Sequence, residues 1–297
     1  MSGGGDVRAA RQPRSLLFVP GNDERKLAKA LGSGADVLLV DLEDSVAPEA
    51  KAAARAIAAA FLAAHEAAAG RPRLYVRVND LETGLTRDDL AAIMPARPDG
   101  IMLPKANSGA DVSRLARMID ETGGAAASDA GIIAIATETP LALLQLPSFV
   151  GAEPRLRGMT WGAEDLGTAI GASTAREPSG AFTGPFALAR NLCLFAAHAA
   201  GVQPIDNIYA DFRDEAGLER EARDAARDGF TAKMAIHPAQ VPIINAAFTP
   251  TSEQIAEATA IVEAFQRQRG AGVIGLDGRM IDRPHLIRAQ KLLARLG

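Results

Sequence analysis

Short apolar runs alternate with longer amphipathic or Ala-rich stretches from about residue 15 onward. The runs at 15–19, 37–42, 74–78, 100–103, 132–137, 157–161, 207–209 and 233–236 have the length and composition of buried strands. Between them, apolar positions recur at helical spacing at 24–31, 48–69, 110–121, 186–200 and 215–227. Pro48 sits near the start of its stretch, where a helix tolerates it. Eight strands alternating with helices, with hardly a hairpin signal between them, predict an α/β fold, a (β/α)8 TIM barrel. An open doubly wound sheet is the alternative. The barrel is favoured because polar residues follow many strands rather than two adjacent ones. After the eighth strand the pattern changes. A helix at 252–267 leads to Gly270, Gly272, Gly275 and Gly278, then to a last helix at 284–296. This C-terminal helical tail is not needed to close a barrel. It reads as a Gly-rich lid or an arm that packs on a neighbouring subunit. The expected division is a barrel at 13–250, a helical extension at 251–297 and a disordered start at 1–12.

Composition narrows the function classes. A chain of 297 residues fits one large barrel unit, which typically needs about 250. Hydrophobic residues make up 48%, enough for a sizeable core. The net charge is −4 with both signs interspersed, which argues against a nucleic-acid surface. Cys193 is the single cysteine, so it forms no internal disulfide and reads as a buried thiol. Residues 1–12 lack the apolar core of a signal peptide, and no apolar run is long enough to span a bilayer. These features predict a cytoplasmic protein without a membrane partner. There is no HExxH, no CxxC pair, no Walker A and no dinucleotide glycine fingerprint. Zinc hydrolysis, nucleotide hydrolysis and hydride transfer therefore lose support.

The chemistry sits where the strands end. Strand two runs into Asp41, Glu43 and Asp44, and strand three into Arg77, Asn79 and Asp80. Strand four runs into Lys105, strand five into Glu138, and strand six into Glu164 and Asp165. Strand seven is read as ending at Asp211 and strand eight at His237. In a barrel these ends ring one face. Converging carboxylates make a site for a hard cation such as Mg2+, which takes one or two carboxylates plus water and substrate. Glu138 and Asp165 follow successive strands and are the expected metal ligands. Asp41, Glu43 and Asp44 can bond metal-held water, or the acids can instead cap the following helices. Arg77 can hold a substrate carboxylate or a developing enolate, or pair with the acidic cluster. Lys105 is open to a Schiff-base role, but a lysine among so many carboxylates stays protonated. His237 is either an acid–base group or a structural histidine. Trp161 reads as core. Arg14, Arg25, Lys26 and Lys29 lie near the first strand and could meet phosphates, although for Lys26 and Lys29 a solvated helix face is the favoured reading.

At these residues the chain resembles the citrate lyase beta subunit-like acyl-CoA lyases of the HpcH/HpaI aldolase and citrate lyase superfamily. The matching segments are Arg14 to Gly21, Asp41-Leu42-Glu43-Asp44, Arg77-Val78-Asn79, Leu103-Pro104-Lys105, Glu138-Thr139, Gly162-Ala163-Glu164-Asp165-Leu166, Ile236-His237-Pro238 and Met280-Ile281-Asp282. The resemblance implies Mg2+ held by Glu138 and Asp165, with Arg77 beside the reacting centre. It implies that Asp282, on the tail, acts as an acid–base group in a neighbouring subunit's site, within a homotrimer or hexamer. It also implies a substrate carrying coenzyme A or an acyl-carrier group.

The combined reading is a Mg-dependent carbon–carbon lyase on a 3-hydroxyacyl-CoA thioester, with citryl-, malyl- or citramalyl-CoA as candidates. Cleavage yields acetyl-CoA and a 2-oxo acid, by way of a metal-bound oxo acid and a thioester enolate. Arg77, Asp282 and Asp44 form the expected catalytic set, with Arg14, Lys26, Glu43, Lys105 and His237 binding substrate or coenzyme A. The alternatives are a metal-dependent aldolase on a free hydroxy-oxo acid, or a non-autonomous beta subunit of a citrate lyase complex.

Overall fold

The computed structural model describes residues 12–66, 70–123, 129–268, 270, 272–276 and 278–296. The expected disordered start lies outside these but for Gln12, as does the end of the helix expected at 48–69. The chain divides into two compact units, Arg14–Phe248 and a smaller one that takes the described residues from Thr249 on.

The larger unit is a closed barrel of eight parallel strands in sequence order. The strands are β1 Ser15–Pro20, β2 Val37–Asp41, β3 Arg73–Arg77, β4 Gly100–Leu103, β5 Gly131–Ile135, β6 Leu156–Thr160, β7 Gln203–Asp206 and β8 Ala232–Ala235. The helices are α1 Glu24–Ala30, α2 Lys51–His65, α3 Thr86–Ile93, α4 Gly109–Gly123, α5 Pro140–Gln145, α6 Ala163–Ile170, α7 Gly184–Ala200, α8 Glu215–Asp228 and α9 Gln240–Ala247. The strands are apolar on both sides because both sides are covered. Leu38, Val40, Leu74 and Val76 face the helix layer in one large core. Val37, Leu39, Tyr75, Met102, Ile133 and Met234 fill the barrel interior in a second. Side chains alternate along a strand, so Asp41 shares the inward parity of Val37 and Leu39, and Arg77 that of Tyr75. Asp41 and Arg77 are also register partners between β2 and β3. Strand geometry alone thus sets an acid and a base side by side at the mouth. The interior has little room to spare: a Cβ on Gly100 would lie 2.1 Å from the Tyr75 ring, so glycine there makes space for an aromatic filler.

One strand was expected in the wrong place. The seventh covers Gln203–Asp206, not 207–209, and Asp211 lies well beyond its end. Pro204 and the polar flanks mask it in the sequence, because a proline argues against an interior strand. Helices α3, α5, α6 and α9 are short and were not singled out by periodicity.

The smaller unit contains α10 Ser252–Arg267, an antiparallel hairpin of β9 Val273–Leu276 and β10 Arg279–Asp282, and α11 Arg283–Leu293. The Gly-rich stretch expected as a lid therefore includes a hairpin. Ile261, Phe265, Ile274 and Ile281 give this unit its own core. Capping boxes start both helices, Thr251 with Gln254 and Asp282 with His285.

Candidate active site

Asp41 is 2% exposed and accepts four hydrogen bonds. Its Oδ1 takes Arg77 Nε at 2.8 Å and the Glu43 N–H at 2.9 Å. Its Oδ2 takes Arg77 Nη2 at 2.7 Å and the Ser45 N–H at 3.1 Å. Burial pushes its pKa up, but the Arg77 fork outweighs that and holds the carboxyl below the usual range. Arg77 also lies 2.9 Å from Glu43 Oε2 and 3.3 Å from Asp44 Oδ2, and its guanidinium sits over the Phe18 ring at 4.7 Å. Burial lowers the Arg77 pKa, yet Asp41 and its neighbours raise it further, so the cation is permanent.

Glu43 lies between two cations. Lys105 Nζ donates to its Oε1 at 2.5 Å. Its buried Oε2 lies off the hydrogen-bond direction of Arg77 and accepts no hydrogen bond among the described residues. Burial dominates over both cations and raises its pKa to about 7. Lys105 bridges from Glu43 to Asp165 Oδ1 at 3.3 Å. It holds a left-handed backbone at φ 49°, unfavourable for a residue with a side chain by about 1–3 kcal/mol. That conformation turns its N–H onto Glu138 Oε2. Burial lowers the lysine's pKa, but the carboxylates raise it more, so it remains an ammonium and a poor nucleophile.

Glu138 follows β5 and is 3% exposed. Burial, with repulsion from Asp165 and Glu43 added, raises its pKa to about 8 against the pull of Lys105. It does not cap the next helix; Thr139 does, accepting the Ala142 N–H at 3.1 Å. Gly162 is what lets Glu138 fit. A Cβ there would lie 2.7 Å from Glu138 Cγ. Gly162 also precedes α6, whose first turn carries Glu164 and Asp165 and has no side-chain cap. Its first N–H groups are thus available to a negative group.

These residues border a cavity of about 390 Å³ at the C-terminal mouth, lined in part by Arg77, Asp44, Glu138, Asp165 and Glu164. Glu43 and Lys105 are paired with lining residues, Arg77 and Asp165, without being part of the lining. Among the described residues no group of three or more His, Cys, Asp or Glu is poised around a metal. Two close carboxylates with excess negative charge nevertheless fit Mg2+, which keeps water and substrate among its ligands.

Of the expected residues in the barrel unit, Arg14, Lys26 and His237 do not line this cavity. Arg14 precedes β1 and is locked to Asp36, just before β2, at 2.9 Å. It lies at the opposite end of the barrel from the mouth, because proximity in sequence to a strand does not say which end a residue marks. Lys26 is on the mouth side in α1, exposed, 3.4 Å from Asp23, and outside the cavity lining. His237 stacks on Phe212 at 4.8 Å and accepts the Ala239 N–H at 3.2 Å, so it organises a turn at the rim. Asp282, in the smaller unit, caps α11 and bonds the His285 ring. That bond outweighs burial and holds its carboxyl below the usual range. Phe18, Ser45, Asn207 and Gly162 border the cavity and were not picked out. Only Gly162 carried a signal, as a glycine between a strand and an acidic helix start.

The C-terminal mouth of a parallel barrel thus gathers oxygen donors around a buried arginine. The chain belongs to the HpcH/HpaI aldolase/citrate lyase family, whose model matches residues 14–238. A second model, the C-C bond lyase of the TIM-barrel fold, matches residues 189–296. The chain is 36% identical over 284 residues to a (3S)-malyl-CoA thioesterase of Cereibacter sphaeroides, covering 95% of this chain and 94% of the relative. It is 32% identical to citrate lyase subunit beta of Leuconostoc mesenteroides subsp. cremoris, covering 95% and 93%. Among solved structures it is similar to the CitE protein of Mycobacterium tuberculosis in complex with magnesium, acetoacetate and coenzyme A. The TM-score is 0.79 at 34% identity, covering 96% of this chain and 98% of that one.

Proposed function

We propose that the protein is a Mg2+-dependent carbon–carbon lyase acting on a 3-hydroxyacyl-CoA thioester. One observation carries the reading. Arg77 is fixed by Asp41 at the cavity that Glu138 and Asp165 border, in a chain of this family. Glu138 and Asp165 are the residues that would hold Mg2+, and the ion would supply a Lewis-acid anchor for the hydroxy-acid end of the substrate.

The protein's own groups do the rest. The open N–H groups at the start of α6 suit the substrate carboxylate. The hydroxyl proton passes to a carboxylate that lines the mouth, and Asp44 is the proposed acceptor. The bond between the carbinol carbon and the thioester α-carbon then breaks, and its electron pair becomes a thioester enolate. Arg77 is a preorganised partner for that charge because Asp41 already holds its fork in place. Protonation of the enolate carbon gives the acyl-CoA, and Asp282 of a neighbouring subunit is the proposed donor, after its carboxylate, ionised while bonded to His285, has taken a proton from solvent. Its bond to His285 has to part for that transfer.

The relative named a malyl-CoA thioesterase supports a second reading, hydrolysis of the thioester. A CoA-independent aldolase and a subunit of a citrate lyase complex are the remaining alternatives. Product analysis separates them. A lyase yields equal amounts of 2-oxo acid and acyl-CoA from the isolated protein. A thioesterase yields free coenzyme A and intact hydroxy acid. An aldolase cleaves the free acid, and a complex subunit is inactive alone.

A further inference from the structure

The cavity has two unlike walls. Arg77, Glu138 and Asp165, at the ends of β3, β5 and β6, form one, while Phe18, Ile208, Met234 and Ile236, from the adjacent β7, β8 and β1, form the other. Met234 belongs to the barrel's interior core, and Phe18 and Ile208 pack against it. Apart from the more exposed Ile236, the second wall is therefore a continuation of the core. Ser45 and Asn207 supply neutral polar groups, and the Oδ1 of Asn207 already accepts the Ile208 N–H at 2.7 Å. Among the described residues lining the cavity, Arg77 is the single cation, and Asp41, Glu43 and Asp44 already surround it.

A substrate group that faces the apolar wall meets a simple choice. An alkyl group gains by leaving water. A carboxylate loses its water without a cation to replace it, and it adds charge to a mouth already rich in acids. We infer, on the basis of the lyase reading, that the carbinol carbon of the substrate bears hydrogen or a short alkyl group toward this wall, and that a carboxymethyl arm is rejected. The oxo-acid product is then of the glyoxylate, pyruvate or 2-oxobutanoate kind and not of the oxaloacetate kind. Phe18, Ile208, Met234 and Ile236 set that specificity.

Binding of 2-oxo acids tests this without relying on turnover. The full-length protein with saturating Mg2+ is titrated calorimetrically with pyruvate, 2-oxobutanoate, oxaloacetate and 4-methyl-2-oxopentanoate. The last matches oxaloacetate in branching but lacks its second charge. Pyruvate and 2-oxobutanoate are expected to bind at least about 10-fold more tightly than oxaloacetate, with the uncharged isostere also ahead of it. Ile208→Arg, which places a cation on the apolar wall, is expected to bring oxaloacetate level with pyruvate. Oxaloacetate binding as well as pyruvate to the unmodified protein overturns the inference. So does an isostere as weak as oxaloacetate, since size and not charge would then decide, and so does binding of none of the four. The lyase reading fails separately, if the expected binding order holds but no hydroxyacyl thioester is cleaved.

Discussion

Arg77 shows how much one residue's surroundings can be read in advance. Its place after an apolar run marked it, and the strand parity it shares with Tyr75 explains why it points into the mouth. Its partner could not be chosen from sequence, because three acids, Asp41, Glu43 and Asp44, competed for it; register settles on Asp41. Arg77→Lys keeps the charge but loses the fork. Turnover is expected to fall by about 10²-fold or more with little change in KM, as steady-state kinetics would show, because the enolate charge arises only along the reaction path. A change in KM alone would assign Arg77 to ground-state binding. Glu138 gives a pH prediction. Its pKa is raised from 4.5 to about 8 in the folded protein, and Glu43 shifts the same way, to about 7. Between about pH 4.5 and 8 the folded state holds protons that the unfolded state has released, so stability from these groups is present at low pH and is lost as pH rises through 8. In excess chelator, thermal denaturation should show a Tm falling from pH 5 to 9, and Glu138→Gln should flatten that fall. Mg2+ needs the ionised carboxylate, so its affinity should rise over the same range. Lys105 was less legible. Its side chain was visible as a strand-end cation, but nothing in the sequence announced a left-handed backbone.

At the scale of elements, seven of the eight strands stand out because a buried parallel strand is an apolar run bounded by polar residues. The seventh does not. Its outward Asp206 is fully buried, but it is satisfied by Lys233 at 2.9 Å, Arg190 at 3.1 Å and the Trp161 indole at 2.8 Å. A charge that only makes sense with its partners cannot be recognised before the strands are placed. The tail hairpin was hidden for another reason: glycines at 272, 275 and 278 read as a loop when they flank and interrupt two four-residue strands. The turn from β6 into α6 carries the most pointed test. Gly162→Ala adds one methyl group 2.7 Å from Glu138 Cγ and leaves every charge in place. Glu138 must move, and Mg2+ affinity measured by calorimetry should drop by about 10–100-fold. Unchanged affinity would show that Glu138 is not held against β6 as a ligand.

For the whole molecule, the barrel order brings groups from β2, β3, β4, β5 and β6 to one mouth, which is why strand-end carboxylates are a usable signal in the sequence. The reach of the tail is a separate matter, carried by the Asp282 proposal and tested by mixing. Asp282→Ala and Arg77→Ala chains should each be inactive. Exchanged into mixed oligomers, they should recover a fraction of the activity, because some sites then join an intact Arg77 to a neighbour's intact Asp282. No recovery after verified subunit exchange would place Asp282 in its own chain's chemistry or outside it. The central claim is the cleavage itself. The most direct measurement incubates the isolated protein with malyl-CoA and citramalyl-CoA, with Mg2+ or with excess chelator, and quantifies every product. Equal amounts of acetyl-CoA and 2-oxo acid, lost in chelator and restored by Mg2+, are the expected result. Free coenzyme A with intact hydroxy acid, or undiminished cleavage in chelator, would contradict it.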